Sequence, residues 1–148
     1  MAGADKLNVI LGAWSSPLRE DAIAVRTQVF VHEQAVPPEL EMDEMDSVSI
    51  HAVAYGDDGA ALGTGRLLPD GHIGRMAVYA RARGLRVGSA ILDALIVRAR
   101  QLACPRLVLN AQSHAMGFYE RHGFVAQGPE FMEAGIPHRE MVLELQAA

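Results

Sequence analysis

Apolar positions along this chain alternate between two spacings, and the changes of spacing mark the elements. Leu7 to Trp14 is a short apolar run that predicts a first strand. Ser15-Ser16-Pro17 supplies a serine cap with proline just inside, which predicts a helix start. Ile23, Arg26-Thr27 and Phe30-Val31 carry that helix to about His32, and Pro37-Pro38 stops it. Three strand-like runs follow: Ile50 to Tyr55, Ala61 to Leu68 and Ile73 to Tyr79. They are separated by Asp57-Asp58-Gly59 and Asp70-Gly71, and Asp-Gly between such runs is a hairpin signal because both positions tolerate positive φ. The expectation is an antiparallel meander.

The spacing then becomes helical. Val87, Ile91, Leu95, Ala99 and Leu102 recur on one face, Leu92 and Ile96 widen the stripe, and the helix is expected to end near Ala103, before Pro105. Leu107, Val108 and Leu109 mark a buried strand from Arg106 to Asn110. Strand, long helix and strand in that order require the two strands, Ile73–Tyr79 and Arg106–Asn110, to run parallel. A short helix is expected from about Ser113 to His122, ended by Gly123. Phe124 to Gln127 and Glu140 to Leu145 read as closing strands, with Gly135-Ile136-Pro137 as a loop between them. The fold class is therefore α+β: a mixed, mostly antiparallel twisted sheet of six to seven strands, with a parallel central pair and helices on both faces.

Composition narrows the functional classes. The chain has 148 residues, enough for one domain spanning 1–148 around one core, and half of them are apolar. The net charge of −5 argues against bulk nucleic-acid binding, which needs a basic face. A single cysteine, Cys104, excludes an intrachain disulfide and has no evident activating partner. The apolar stretch Val9 to Trp14 is too short for a signal peptide, and no run reaches membrane-span length, so a soluble cytoplasmic protein is expected. His32-Glu33-Gln34-Ala35-Val36 opens like a zinc helix but ends on Val36, so no metal is expected. Gly63-Thr64-Gly65 lacks the third glycine of a dinucleotide turn.

The segment from Met76 to Ser89 carries the chemistry. A strand runs into a turn bearing Arg81, Arg83, Gly84, Arg86 and Gly88, and the turn runs into a helix. Unpaired N–H groups at a helix N-terminus attract an anion, and an anionic ligand would relieve the misfit of cations at that end. Read alone, the same turn is equally a solvated surface with glycine punctuation. Its pattern resembles the pyrophosphate motif of the GNAT superfamily of N-acetyltransferases: Arg or Gln, two residues, Gly, one residue, then Gly or Ala. Arg83 and Gly88 match the ends, while Arg86 stands where the family usually has Gly. Asn110 followed by Ala115, Phe118, Tyr119, Glu120, Gly123 and Phe124 is similar to the second GNAT signature. Val29 to Gln34, Leu109 to Gln112 and Phe131 to His138 are similar to one small bacterial branch, so the likeness covers nearly the whole chain.

The resemblance implies a splayed parallel pair and roles for named residues. Met76, Ala77 and Val78 would hold the pantetheine arm of acetyl-CoA by their backbone. Arg83, Gly84, Leu85, Arg86, Val87, Gly88 and Ser89 would cradle the pyrophosphate, and Asn110 would touch pantetheine through the splay. Tyr119 would protonate the departing thiolate, although position alone also allows a core aromatic beside Phe118. The backbone N–H of Val78 would stabilise the oxyanion. An alkyl amine near pKa ~10 needs a base. Glu33 at the end of the first helix is one candidate; His114, His138 and an ordered water are others. Arg75 either faces the acceptor site or pairs with an acid such as Asp43, and the pairing is the expectation. The acidic stretch Glu39, Glu41, Asp43, Glu44 and Asp46 reads as a solvated loop or helix start, or alternatively as an attractor for a cationic amine. The expected activity is transfer of an acetyl group from acetyl-CoA to a primary amine of a small molecule or peptide, by direct attack in a ternary complex. The alternatives are a non-catalytic acyl-CoA-binding or sensor module, and a partner-binding domain with no ligand. No nucleic-acid or membrane partner is expected, and a homodimer is possible.

Overall fold

The computed structural model describes residues 7–38 and 43–145. Seven strands form one mixed sheet: β1 (Asn8–Ala13), β2 (Ile50–Tyr55), β3 (Ala61–Leu67), β4 (His72–Val78), β5 (Arg106–Gln112), β6 (Val125–Glu133) and β7 (Ile136–Glu144), in the order β1-β2-β3-β4-β5-β7-β6. β1 to β4 are the antiparallel meander that the Asp-Gly turns predict. β4 and β5 run parallel, with the long helix α2 (Val87–Gln101) crossing between them.

α1 (Leu18–Arg26) and α2 lie on opposite faces, which the strand parity explains. On β2, Val53 packs with Leu18 and Ala22 of α1, while Ala52 and Ala54 join Ile91, Leu92 and Leu95 of α2 in the main core. Gly63 and Gly65 of β3 face α2. A Cβ on Gly63 would sit 2.9 Å from Val87 and 3.0 Å from Ile91, so these glycines let α2 lie close on the sheet. That is the structural use of the Gly63-Thr64-Gly65 sequence.

The structure corrects several expected boundaries. The first helix is α-helical only to Arg26; Thr27–Glu33 is a π-helix, with the Gln34 N–H bonded to the Val29 carbonyl. α2 ends at Gln101. The expected helix from Ser113 is a 3-10 turn, Ser113–Ala115, followed by α3 (Met116–Glu120). The expected loop at Gly135-Ile136-Pro137 is a hairpin: Ala134 (φ 53°) and Gly135 (φ 78°) form a two-residue turn with both residues left-handed, and Ile136 already begins β7.

The acidic stretch is also reassigned in part. Asp43 caps a 3-10 turn, Glu44–Val48. Asp46 is buried and accepts hydrogen bonds from Arg26 at 2.8 and 3.1 Å and from Arg66 at 2.9 Å. Arg66 also grips Asp43 at 2.7 and 3.0 Å, and Arg75 reaches Asp43 at 3.1 Å, the pairing expected for it. Arg26 stacks on Trp14, whose ring lies 4.4 Å from that of His51. Asp43 is thus the helix start that is one expectation for this stretch, and Asp46 is buried in the ion-pair cluster; Glu39 and Glu41 lie outside the described residues.

Candidate active site

The site starts from a fault in β4. Thr64 of β3 pairs with Ala77, but Arg66 pairs with Gly74, so β4 carries one extra residue there. Arg75, at φ 51°, absorbs the bulge and bends the strand. β4 pairs with β5 only at His72–Val108 and Ile73–Leu109, after which the strands part. The Tyr79 N–H bonds to the Leu62 carbonyl, so in the antiparallel alternation Val78 is a position whose own N–H and C=O point away from β3. They face the opening.

Beyond Val78, a 3-10 turn (Ala80–Ala82) leads through Arg83 to α2. Gly84 and Arg86 are both left-handed, at φ 86° and 66°. Arg86 thus holds a conformation that ordinarily favours glycine. The left-handed strain of a non-glycine residue costs roughly 1 kcal/mol. Arg86→Gly is expected to raise stability by up to about that amount in urea denaturation. Gly88 permits close packing of the helix start, since a Cβ there would meet Phe118 at 3.3 Å.

Met76, Ala77, Val78, Arg83, Gly84, Arg86, Val87, Gly88, Ser89, Asn110, Tyr119 and Glu33 all line one cleft of about 1140 Å³. Leu85 does not: it is 47% exposed and outside the lining. Arg83 forms a bidentate ion pair with Glu33, one arm at 2.8 Å, and its Nε donates to the Val78 carbonyl at 3.1 Å. That guanidinium holds the Glu33 carboxyl below the ordinary carboxylate range, which keeps it ionised and makes it a weaker base. The Ser89 hydroxyl meets His122 Nε2 at 3.1 Å, and His122 Nδ1 meets Asp93 at 3.1 Å.

On the far wall, Tyr119 is buried against Phe118 and Phe124. Its burial pushes the phenol up to about 12. Among the described residues nothing hydrogen-bonds its hydroxyl, although the residue lines the cleft. Three residues not singled out as contacts also converge here. Gln112 donates to Gln34 at 2.9 Å and accepts from His114 Nε2 at 2.7 Å, linking β5 to the end of the π-helix. Glu133 accepts from Asn110 at 3.4 Å and approaches His138 Nε2 at 3.9 Å. The pairing of Gln112 with His138 across β5 and β7 is a long-range register that no local pattern reveals. Cys104 donates to the Arg106 carbonyl outside this cleft, and no group of three or more metal-ligating side chains occurs among the described residues.

A mixed sheet that opens between parallel strands beside an amide-rich helix start defines the acyl-CoA N-acyltransferase class. The acetyltransferase (GNAT) domain model matches residues 15–145. The uncharacterized N-acetyltransferase YjcF of Bacillus subtilis is 41% identical over 127 residues, covering 83% of this chain and 90% of that protein. An acyl-CoA N-acyltransferase from Pseudomonas aeruginosa superposes with a TM-score of 0.82 at 31% identity, covering 93% of this chain and 99% of the other. ElaA of Escherichia coli superposes with a TM-score of 0.81 at 25% identity, covering 94% and 100%. The chain belongs to the GNAT acetyltransferase family.

Proposed function

We propose that this chain transfers an acetyl group from acetyl-CoA to a primary amine by direct attack in a ternary complex. The observation that carries this reading is the continuity of one cleft. It joins the helix start at Gly84–Ser89 to the opening where Val78 presents its amide and where Tyr119 lines the wall. The backbone of Met76, Ala77 and Val78 takes the pantetheine arm as an added strand, and Asn110 meets it from β5. The helix start, with Arg83 and Arg86 beside it, takes the diphosphate. The Val78 N–H donates to the thioester oxygen as it becomes an oxyanion. Tyr119 keeps its proton at any physiological pH and gives it to the departing sulfur. The thiolate leaves into the same dry surroundings, which raise its own proton affinity as well.

The test combines binding and turnover. Acetyl-CoA at one hundred times its Kd stabilises a single-site protein by about 2.7 kcal/mol, or a rise in Tm of about 5–10 °C for a chain of this size. Release of CoA thiol is then measured with acetyl-CoA and longer acyl-CoAs against a panel of primary amines. No thermal shift at millimolar acetyl-CoA would overturn the reading. A shift with faster turnover of a longer acyl chain would replace acetyl by that donor.

A further inference from the structure

We infer that His138 is the base that takes the acceptor's proton, with Glu133 as its positioning residue; this rests on the acetyl-transfer reading above. The argument begins with the ring's tautomer. His138 Nδ1 lies 2.7 Å from the Ile136 carbonyl oxygen. A carbonyl only accepts, so Nδ1 carries the proton and the lone pair of the neutral ring sits on Nε2.

The ring is held in place around that atom. His138 is 6% exposed and its ring stacks on Phe131 across β6 and β7, with centroids 6.0 Å apart. Among the described residues no group hydrogen-bonds Nε2; the Glu133 carboxylate lies 3.9 Å from it. His138 nevertheless lines the cleft, as do Glu133 and Asn110. A buried ring with one nitrogen fixed as donor and the other left open toward a cleft is arranged to accept a proton there. One Glu133 carboxylate oxygen stands at ion-pair distance from Nε2, and Asn110 donates to the other.

The other candidate bases are less well held. Glu33 is locked to Arg83. His114 donates Nε2 to the Gln112 side-chain oxygen, but it is exposed, where His138 is buried and stacked on Phe131. His72 lies beside Asp70, and His122 bridges Asp93 and Ser89.

The proton and electron count closes. The neutral fraction of the amine attacks the thioester carbon, a C–N bond forms, and the carbonyl π pair moves to oxygen. One amine proton goes to His138 Nε2. The oxygen pair returns, the C–S bond breaks, and the sulfur takes the Tyr119 proton. The imidazolium gives its proton to solvent and the phenolate regains one from solvent, leaving amide and CoA thiol.

Two measurements test this. Two-bond ¹H–¹⁵N spectra of the free protein, with H138Q assigning the signal, are expected to show the His138 ring protonated on Nδ1; a ring protonated on Nε2 when neutral would overturn the inference with no substrate needed. In the CoA-thiol assay, H138Q is expected to lose about 100-fold or more in kcat with the acetyl-CoA thermal shift intact. Glu133→Gln, at an exposed position, is expected to lose several-fold in kcat at unchanged KM for acetyl-CoA, which keeps the idea testable if H138Q does not fold. Undiminished turnover by both variants would remove His138 and leave the acyltransfer reading standing. Absence of turnover by the parent protein with every amine, despite acetyl-CoA binding, would bring down both.

Discussion

Tyr119→Phe is expected to lower kcat by about 100-fold or more while leaving acetyl-CoA affinity and thermal stability nearly unchanged. The hydroxyl has no protein partner among the described residues, so its removal orphans nothing. The ring itself remains wedged against Phe118 and Phe124, so the core keeps its volume. This split separates a catalytic from a structural tyrosine: a core residue would show its loss in unfolding, an acid in turnover. The comparison is steady-state CoA release beside urea denaturation of the two proteins. Equal kcat would remove the phenol from the mechanism.

Asp46→Ala is expected to be the most damaging single change to stability, by about 3–5 kcal/mol. Asp46 is the shared acceptor of Arg26 and Arg66, and both guanidiniums are almost wholly enclosed. Removing the carboxylate takes three charge-assisted bonds from two buried guanidiniums. Asp43→Ala should cost less, since its side chain is 35% exposed and water can replace it. Urea midpoints of the two variants give the ordering; an equal or smaller loss at Asp46 would show that water reaches the cluster. The carboxyl of Asp46 is itself depressed: burial opposes ionisation, but the bonds and charges of Arg26 and then Arg66 outweigh it. Because the folded value lies below the unfolded one near ~3.9, this stabilisation is complete above that pH and is lost as the pH falls through the folded value.

Legibility in the sequence followed the range of the interaction. The meander was readable because Asp-Gly turns are local, and the parallel pair because a helix of that length leaves few crossovers. The two closing strands were readable only in the halves far from their turn, and the turn itself was not. That turn is Ala134-Gly135, without the Asn or Asp that usually marks a turn of this kind. β6 is an edge strand, mostly exposed, broken by a register shift around Gly128-Pro129. No apolar alternation survives there to be read. The π-helix was hidden because its apolar spacing differs little from that of an α-helix over seven residues.

The site divides the same way. The helix start and its flanking residues are contiguous from 83 to 89, and all but Leu85 line the cleft. The pairing of Arg75 with Asp43 followed from charge alone. The tie between Glu33 and Arg83 spans 50 residues, and the link of Gln34 to Gln112 spans 78, so no local spacing encodes either. The tautomer of His138 needed the Ile136 carbonyl in place.

Because β4 and β5 share so few backbone bonds, the sheet is mechanically two blades along a short seam. What keeps the blades at their angle is the oil between them: Ile91 and Leu95 from the crossing helix, Leu107 and Leu109 from one blade, Ala52 and Leu67 from the other, all in one cluster. The gape of the V is thus set by side-chain volume, and trimming Leu109 or Ile91 would be felt at the thioester before it was felt in the strands.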